Sequence, residues 1–381
     1  MTAAAVLDVR TDAARTVDGI STGNRVAALD GVRALAVVAV LGIHAVPGST
    51  FPGGVGVDVF FVLSGCLITA LLLAERDRFG RVDLPRFWLR RFLRLLPALA
   101  FFLLALYPLG RAMVGEEYVG RALTVLAFRA NLALTVDLVS VGPLEHLWSL
   151  AQEGQFYLVW PPVLLLLWVL RLSQGVLALL LLAGTAWSFL VLERVQAAGV
   201  RPSDDFRLDA RLGGLLVGCA LALLLHRRTR LLAVPWLAEA GLLGLLSLLV
   251  VGTLEQYDLQ VTVPVAVGCS ALLVGGLLGG PPGPASALLS APGPAYLGQV
   301  SYSLYLWHYP FFRAFERRED LPGALVLLLE VVLAVAAAAM SYTVIEQPVS
   351  RWSARRLRPL ARSDHIENPP RHTSHLSNSS T

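Results

Sequence analysis

The residues of this sequence equipped for chemistry are few, and they stand inside or beside long apolar runs, where a polar group is costly unless something requires it. Arg33 and His44 bracket the first run, eleven residues apart; on a helix they are separated by about 16 Å of axial rise and lie near one face. A neutral imidazole at that depth suits a general base that accepts the proton of an alcohol. It equally suits an interfacial histidine hydrogen-bonded to a neighbouring helix. Asp58 opens the run Asp58-Val-Phe-Phe-Val-Leu-Ser-Gly65, where a carboxylate either favours the positive end of a helix or orients His44 across a short loop. In Arg86-Phe-Trp-Leu-Arg90-Arg91-Phe-Leu-Arg94-Leu-Leu-Pro97, cations alternate with aromatic and aliphatic residues, and Arg86, Arg90 and Arg94 share one helical face. That pattern fits an interfacial helix on lipid phosphates, or a site for a phosphorylated cofactor held by bidentate guanidinium groups. Ser149, Glu153 and Tyr157 recur at i,i+4, a polar stripe that should face the bundle interior as hydrogen-bond glue or as a site wall. Arg207, Asp209 and Arg211 precede another run, where Asp209 can pair with either arginine. His308 lies well inside a later run, just before the helix-kinking Pro310, and Glu346-Gln-Pro348 closes the last one.

The elements that must hold these side chains are membrane helices. Of the 381 residues, 56% are hydrophobic and 15% charged, against roughly 25% charged in soluble domains, and the mean hydropathy is +0.65. Apolar segments fall near 34–50, 54–74, 93–113, 119–136, 147–170, 174–193, 211–226, 231–253, 260–280, 296–315 and 321–345, most of them near the length a bilayer requires. The expected fold is an all-α polytopic membrane protein, a bundle of about ten transmembrane helices, or eleven if 119–136 spans. That segment carries Arg121, Arg129 and Asn131, all expensive in hydrocarbon. Dropping it as a span puts the arginines of the N-terminal tail, of 76–94, of 227–230 and of 351–362 on one side, as the positive-inside rule prefers. The expectation is therefore ten membrane spans with both termini cytoplasmic and 119–136 re-entrant or poorly inserted. Arg313, Arg317 and Arg318 stay outside, interleaved with Glu316, Glu319 and Asp320.

Residues 1–28 form a polar cytoplasmic tail without the layout of a cleavable signal peptide, so the first apolar run reads as an uncleaved signal anchor. Residues 29–352 form the membrane domain, and 353–381 a basic, then polar and disordered tail. The Pro- and Gly-rich stretch 281–294 reads as a flexible loop between spans. The net charge of +4 follows membrane topology, and nothing suggests a nucleic-acid partner. Cys66, Cys219 and Cys269 fit neither a zinc site nor a disulfide framework, and no metal-ligand cluster or glycine-rich nucleotide loop is present.

Taken in order, these motifs resemble the acyltransferase-3 family of bacterial membrane O-acyltransferases. Arg33 and His44 resemble its Arg-x10-His motif, and Asp58 to Gly65 its Asp-x-Phe-Phe-Val-Leu-Ser-Gly stretch. Arg90-Arg91-x2-Arg94-x2-Pro97 is similar to its basic motif. His146-x-Trp148-Ser149-x3-Glu153-x3-Tyr157 is similar to its Trp-Ser-Leu-x2-Glu region. Tyr302 to His308 and Ile345 to Pro348 match its last two signatures. The resemblance covers roughly residues 28–352. Many relatives carry two adjacent glutamates where this chain has Glu153-Gly154, which weakens any mechanism that uses both.

The resemblance implies transfer of an acyl group, often acetyl, from acyl-CoA as co-substrate, with no permanently bound cofactor. The acceptor would be a hydroxyl of a glycan, a lipid-linked sugar or a glycosylated natural product such as a macrolide. It makes His44 the general base, with Glu153 orienting it or the acceptor and His308 a second group for proton transfer. Arg33, Arg90, Arg91 and Arg94 would meet the donor's phosphates, with Asp58, Ser149 and Tyr157 in support. The sequence carries no SGNH-type esterase domain of the kind some relatives append, so transfer is expected to finish in the membrane domain or on a separate partner. The alternative class is a transporter or flippase with an intramembrane proton relay; the two related halves common in transporters are not visible.

Overall fold

A backbone surrounded by hydrocarbon must satisfy its polar groups within its own segment, so Leu-, Ala- and Val-rich runs of this length fold as helices. The computed structural model describes residues 22–45, 51–135, 142–199, 206–228, 233–254, 258–315 and 322–357, and all regular structure among them is helical. In chain order these are α1 (Thr22–Ala45), α2 (Gly54–Phe79), α3 (Leu84–Val114), α4 (Glu117–Leu126), α5 (Ala130–Thr135) and a 3₁₀ segment (Gly142–Leu147). Then come α6 (Trp148–Val169), α7 (Gln174–Ala198), α8 (Leu208–Arg228), α9 (Leu237–Leu254) and α10 (Leu259–Gly279). The short α11 (Pro284–Leu289) leads into α12 (Pro292–Phe315) and α13 (Gly323–Ser341), which continues through a π segment (Tyr342–Glu346) into α14 (Gln347–Arg356).

Among the described residues, seven helices are long and apolar enough to cross a membrane: α1, α2, α3, α7, α8, α10 and the run that starts at Gly323. Helices α6 and α12 are of comparable length, 22 and 24 residues, but carry the polar residues of the site, and α9 is shorter at 18. Segment 119–136 is not one helix. It divides into α4 and α5, of 10 and 6 residues, and neither approaches the roughly 20 that a span needs.

Three sequence expectations change. The stretch 281–294 contains α11 rather than only a loop: Pro284 sits in its first turn, where a missing N–H costs nothing, and the Ala285 N–H donates to Glu239 Oε1 of α9 at 3.3 Å. The last apolar run ends at Glu346-Gln-Pro348, but the helix does not: it goes on as a polar segment to Arg356 with Pro348 in the first turn of α14. The arginine stretch 86–97 is no separate interfacial helix. It forms the opening turns of the 31-residue α3, whose Asp83 cap accepts from the Arg86 N–H at 3.1 Å. The disordered-tail expectation, the Glu316–Asp320 charges and the side chains of Arg227, Arg228 and Arg230 lie outside the described residues.

Small residues set the packing. A Cβ on Gly65 would strike the Leu215 carbonyl of α8, and one on Gly218 the Val62 carbonyl of α2, so these two helices lie backbone to backbone. They run parallel, tied by Asp58–Arg211 at one end (3.0 Å) and by Asp77–His226 at the other (2.9 Å). Helix α6 follows the same direction beside α2, with the Trp160 Nε1–H donating to Thr69 Oγ1 at 2.9 Å. Helices α1 and α12 form a second parallel pair, with Gly298 seated against the Asp30 carbonyl. Phe61, Leu99, Phe102, Leu147 and Leu164 fill the space between the pairs, whereas Leu104, Leu179, Leu243 and Leu328 face outward.

Candidate active site

The close approach of α1 and α12 at Gly298 carries the two helices side by side to their other ends, where His44 meets His308. His308 is fully buried. Its Nδ1 lies 2.8 Å from the Tyr305 carbonyl and 3.2 Å from that of Leu304, so Nδ1 carries the hydrogen and Nε2 is an acceptor. His44 Nδ1 lies 3.0 Å from the Val40 carbonyl and 3.3 Å from His308 Nε2. Both neighbours accept, so the partners assign the His44 hydrogen to Nδ1 and leave the lone pair on Nε2.

A third imidazole completes the group. Pro310 has no N–H to give the Leu306 carbonyl one turn earlier, and His146 Nε2 takes that carbonyl at 3.2 Å. The His146 ring stacks on Tyr309 with centroids 4.7 Å apart, and lies 5.4 Å from His308. Its Nδ1 is buried with no hydrogen-bond partner among the described residues. Tyr309 meets His44 edge-on at 5.0 Å and donates its hydroxyl to Glu145 Oε2 at 3.4 Å.

From this cluster a polar column descends along α6. The Tyr305 hydroxyl donates to the His146 carbonyl and accepts from Ser149 Oγ at 2.7 Å. One turn on, Glu153 accepts from Ser64 Oγ at 2.8 Å and from the Tyr157 hydroxyl at 3.0 Å, and Ser64 lies 3.2 Å from Tyr157. Ser149, Glu153 and Tyr157 thus line one face over about 12 Å of rise, and Glu153 and Tyr157 meet Ser64, the serine of the Asp58–Gly65 run. At the lower end Arg33 and Arg94 act electrostatically on Glu153, and Arg91 and Arg94 on Tyr157. Arg94 stays exposed and makes no hydrogen bond among the described residues. Arg33 holds Asp30 at 3.4 Å. Two bonds fix α3 beside this column: Trp88 Nε1–H to the Tyr157 carbonyl at 3.0 Å, and the Tyr302 hydroxyl to the Leu95 carbonyl at 2.9 Å. Ser303 donates to Glu346 in the π segment.

The fold therefore gathers Arg33, Arg91, Arg94, Ser149, Glu153, Tyr157, His44 and His308 along one column. Asp58 is elsewhere: its carboxylate pairs with Arg211 of α8, both side chains are buried, and His44 is oriented by Val40 and His308 instead. Glu153 likewise bonds Ser64 and Tyr157 rather than His44. Arg90 turns to Glu75 at 3.4 Å, although it also lies within electrostatic reach of Arg91. Asp209 pairs with Arg207 at 2.7 Å, which leaves Arg211 to Asp58. At Gly154 an added Cβ would strike the ring of Phe128, so that ring occupies the place of any second acid beside Glu153. In the sequence His146 stands only as the opening residue of the His146-x-Trp148 motif; what marks it is its place next to the Trp148-Ser149 stripe, with Pro310 freeing a carbonyl for it.

A family model described as an acyltransferase domain matches residues 26–345. The chain is 30% identical over 344 residues to the O-acetyltransferase OatA of Staphylococcus aureus (strain NCTC 8325 / PS 47), an alignment that covers 85% of this chain and 57% of that protein. It is 31% identical over 353 residues to the peptidoglycan O-acetyltransferase OatA of Listeria monocytogenes, covering 86% and 56%. To the putative peptidoglycan O-acetyltransferase YrhL of Bacillus subtilis (strain 168) it is 30% identical over 355 residues, covering 84% and 54%. The chain thus spans about half the length of these curated relatives. No solved structure gives a significant match.

Proposed function

The chain belongs to the acyltransferase-3 family, and from that premise we propose that it is a membrane O-acyltransferase that moves an acetyl group from acetyl-CoA to a carbohydrate hydroxyl. The observation that carries this reading is the column with imidazoles at one end and Arg33, Arg91 and Arg94 at the other. His44 Nε2 takes the proton of the acceptor hydroxyl as its oxygen attacks the thioester carbonyl. The carbon–sulfur bond breaks, the coenzyme A thiolate leaves, and the proton on His44 returns to that sulfur. His308 accepts the hydrogen bond from His44 Nδ1, which holds the ring in the tautomer that exposes Nε2. The guanidinium groups take the donor's phosphates.

Two relatives are named for acetyl transfer to peptidoglycan, so a peptidoglycan sugar is the first acceptor to test; lipid-linked sugars and glycosylated metabolites such as macrolides are the next. The transporter alternative has no support from the family. In the proposed topology the first span starts in the cytoplasm, where acetyl-CoA is made, and the ten long helices alternate in direction. The tie of Asp77 to His226, the capping of α11 and the Arg33 end of the column then fall on the cytoplasmic side. Membranes containing the protein, given acetyl-labelled CoA, should place label in the glycan fraction and not in the lipid or small-metabolite fractions. Label in another fraction would reassign the acceptor, and label in none would overturn the enzymatic reading.

A further inference from the structure

A cavity of about 320 Å³ opens between the ends of α2, α6, α7 and α8, on the side that the proposed topology makes cytoplasmic. Leu73, Leu177 and Leu223 form its apolar wall, and Arg76, Arg171 and Trp168 stand at its mouth. It is distinct from the arginine end of the column: those guanidinium groups lie with α1 and α3, whereas this cavity lies with α7 and α8, across the α2–α6 pair. The Arg76 guanidinium sits 4.5 Å above the Trp168 ring. Neither Arg76 nor Arg171 has a carboxylate partner among the described residues, so two uncompensated cations border one apolar hollow. Arg171 is also held at φ 53°. It follows Leu170, the C-cap of α6, at the position where the left-handed backbone ordinarily selects glycine. An arginine kept there at the expense of backbone strain points to a use for its side chain.

We propose that this cavity binds an anionic phospholipid, with the phosphate between Arg76 and Arg171 and the first acyl methylenes against Leu73, Leu177 and Leu223. The shape of the chemistry favours an amphiphile over a free anion. Paired guanidinium groups match a phosphate, an interfacial tryptophan marks the headgroup level, and the leucine wall is of use only to a ligand with a hydrocarbon part. The cytoplasmic leaflet is the one that carries anionic lipids; that assignment of side rests on the topology proposed above, while binding itself does not.

The test is native mass spectrometry of the full chain in detergent, titrated with dioleoylphosphatidylglycerol or dioleoylphosphatidylcholine, with inorganic phosphate as competitor. The parent should retain the phosphatidylglycerol adduct in preference to phosphatidylcholine and keep it in excess phosphate. Arg76→Gln and Arg171→Gly should each weaken the adduct about five-fold, the scale of one arginine near an anionic surface. Arg171→Gly relieves the left-handed backbone, so its unfolding temperature without added lipid should not fall below the parent's. That separates loss of the site from loss of the fold. Equal adducts with the two lipids, undiminished binding in both variants, or displacement by phosphate alone would each overturn the proposal. Because the readout is lipid mass, failure of the enzymatic reading leaves this result standing.

Discussion

At His308 the conservative substitution is more informative than the drastic one. Glutamine keeps an acceptor for the His44 Nδ1 hydrogen, whereas alanine removes it, so His308→Ala should lower kcat on the order of 100-fold and His308→Gln should recover part of that loss. Steady-state acetyl transfer by the purified variants decides it, and equal rates for both would remove His308 from the role of positioning His44. His44→Ala should reduce transfer to background with insertion unchanged. Among the arginines, Arg91→Lys and Arg94→Lys should raise the KM for acetyl-CoA about ten-fold, because a lysine cannot reproduce the bidentate fork. Arg90→Lys should change it little, since Arg90 is engaged by Glu75. The residues in this column were legible in the sequence because a histidine or glutamate inside an apolar run stands out against its neighbours. His146 was not, because it precedes its run, and its partners, the Leu306 carbonyl and the stacked Tyr309 ring, lie some 160 positions away.

Helices meet through contacts that no single segment announces. Asp58 reads from its own segment as a capping or orienting carboxylate, yet its partner Arg211 is 153 residues on. Removing one member of a buried ion pair leaves an uncompensated charge, so Asp58→Ala should cost about 3–5 kcal/mol. Thermal unfolding in detergent measures it, and Asp58→Leu combined with Arg211→Met should be milder than either change alone. Gly154→Glu, which places a second acid beside Glu153, should cost about 1–3 kcal/mol by forcing the Phe128 ring aside. Adding Phe128→Gly should remove that clash and ease the backbone at φ 54°, yet leave the double variant below the parent, because the Phe128 ring belongs to the buried core. The helical content was visible in the runs themselves. Helix α11 was hidden because Pro, Gly and Ser signal a turn locally, while its capping partner Glu239 comes from another helix.

For the molecule as a whole, the testable quantity is which end of the bundle faces which compartment. In a background lacking Cys66, Cys219 and Cys269, a cysteine at the exposed Arg81 should resist an impermeant maleimide on intact cells, and one at Gly120 should react. Labelling of Arg81→Cys from outside would invert the bundle and move the arginine end of the column away from cytoplasmic acetyl-CoA. Membrane class was plain from composition. That α1 runs parallel to α12 and α2 to α8 was not, because it comes from glycine contacts between distant segments. The separation of His44 and His308 by 264 positions also bears on how the protein is made. A ribosome that has delivered α1 through α10 to the membrane has already inserted the arginines and His44, but not the ring that holds His44 in its working tautomer. On the proposed function, chains cut short by stalling or proteolysis before α12 would carry the donor end of the column without the ring that positions His44, and efficient acetyl transfer would belong to molecules whose translation is nearly complete.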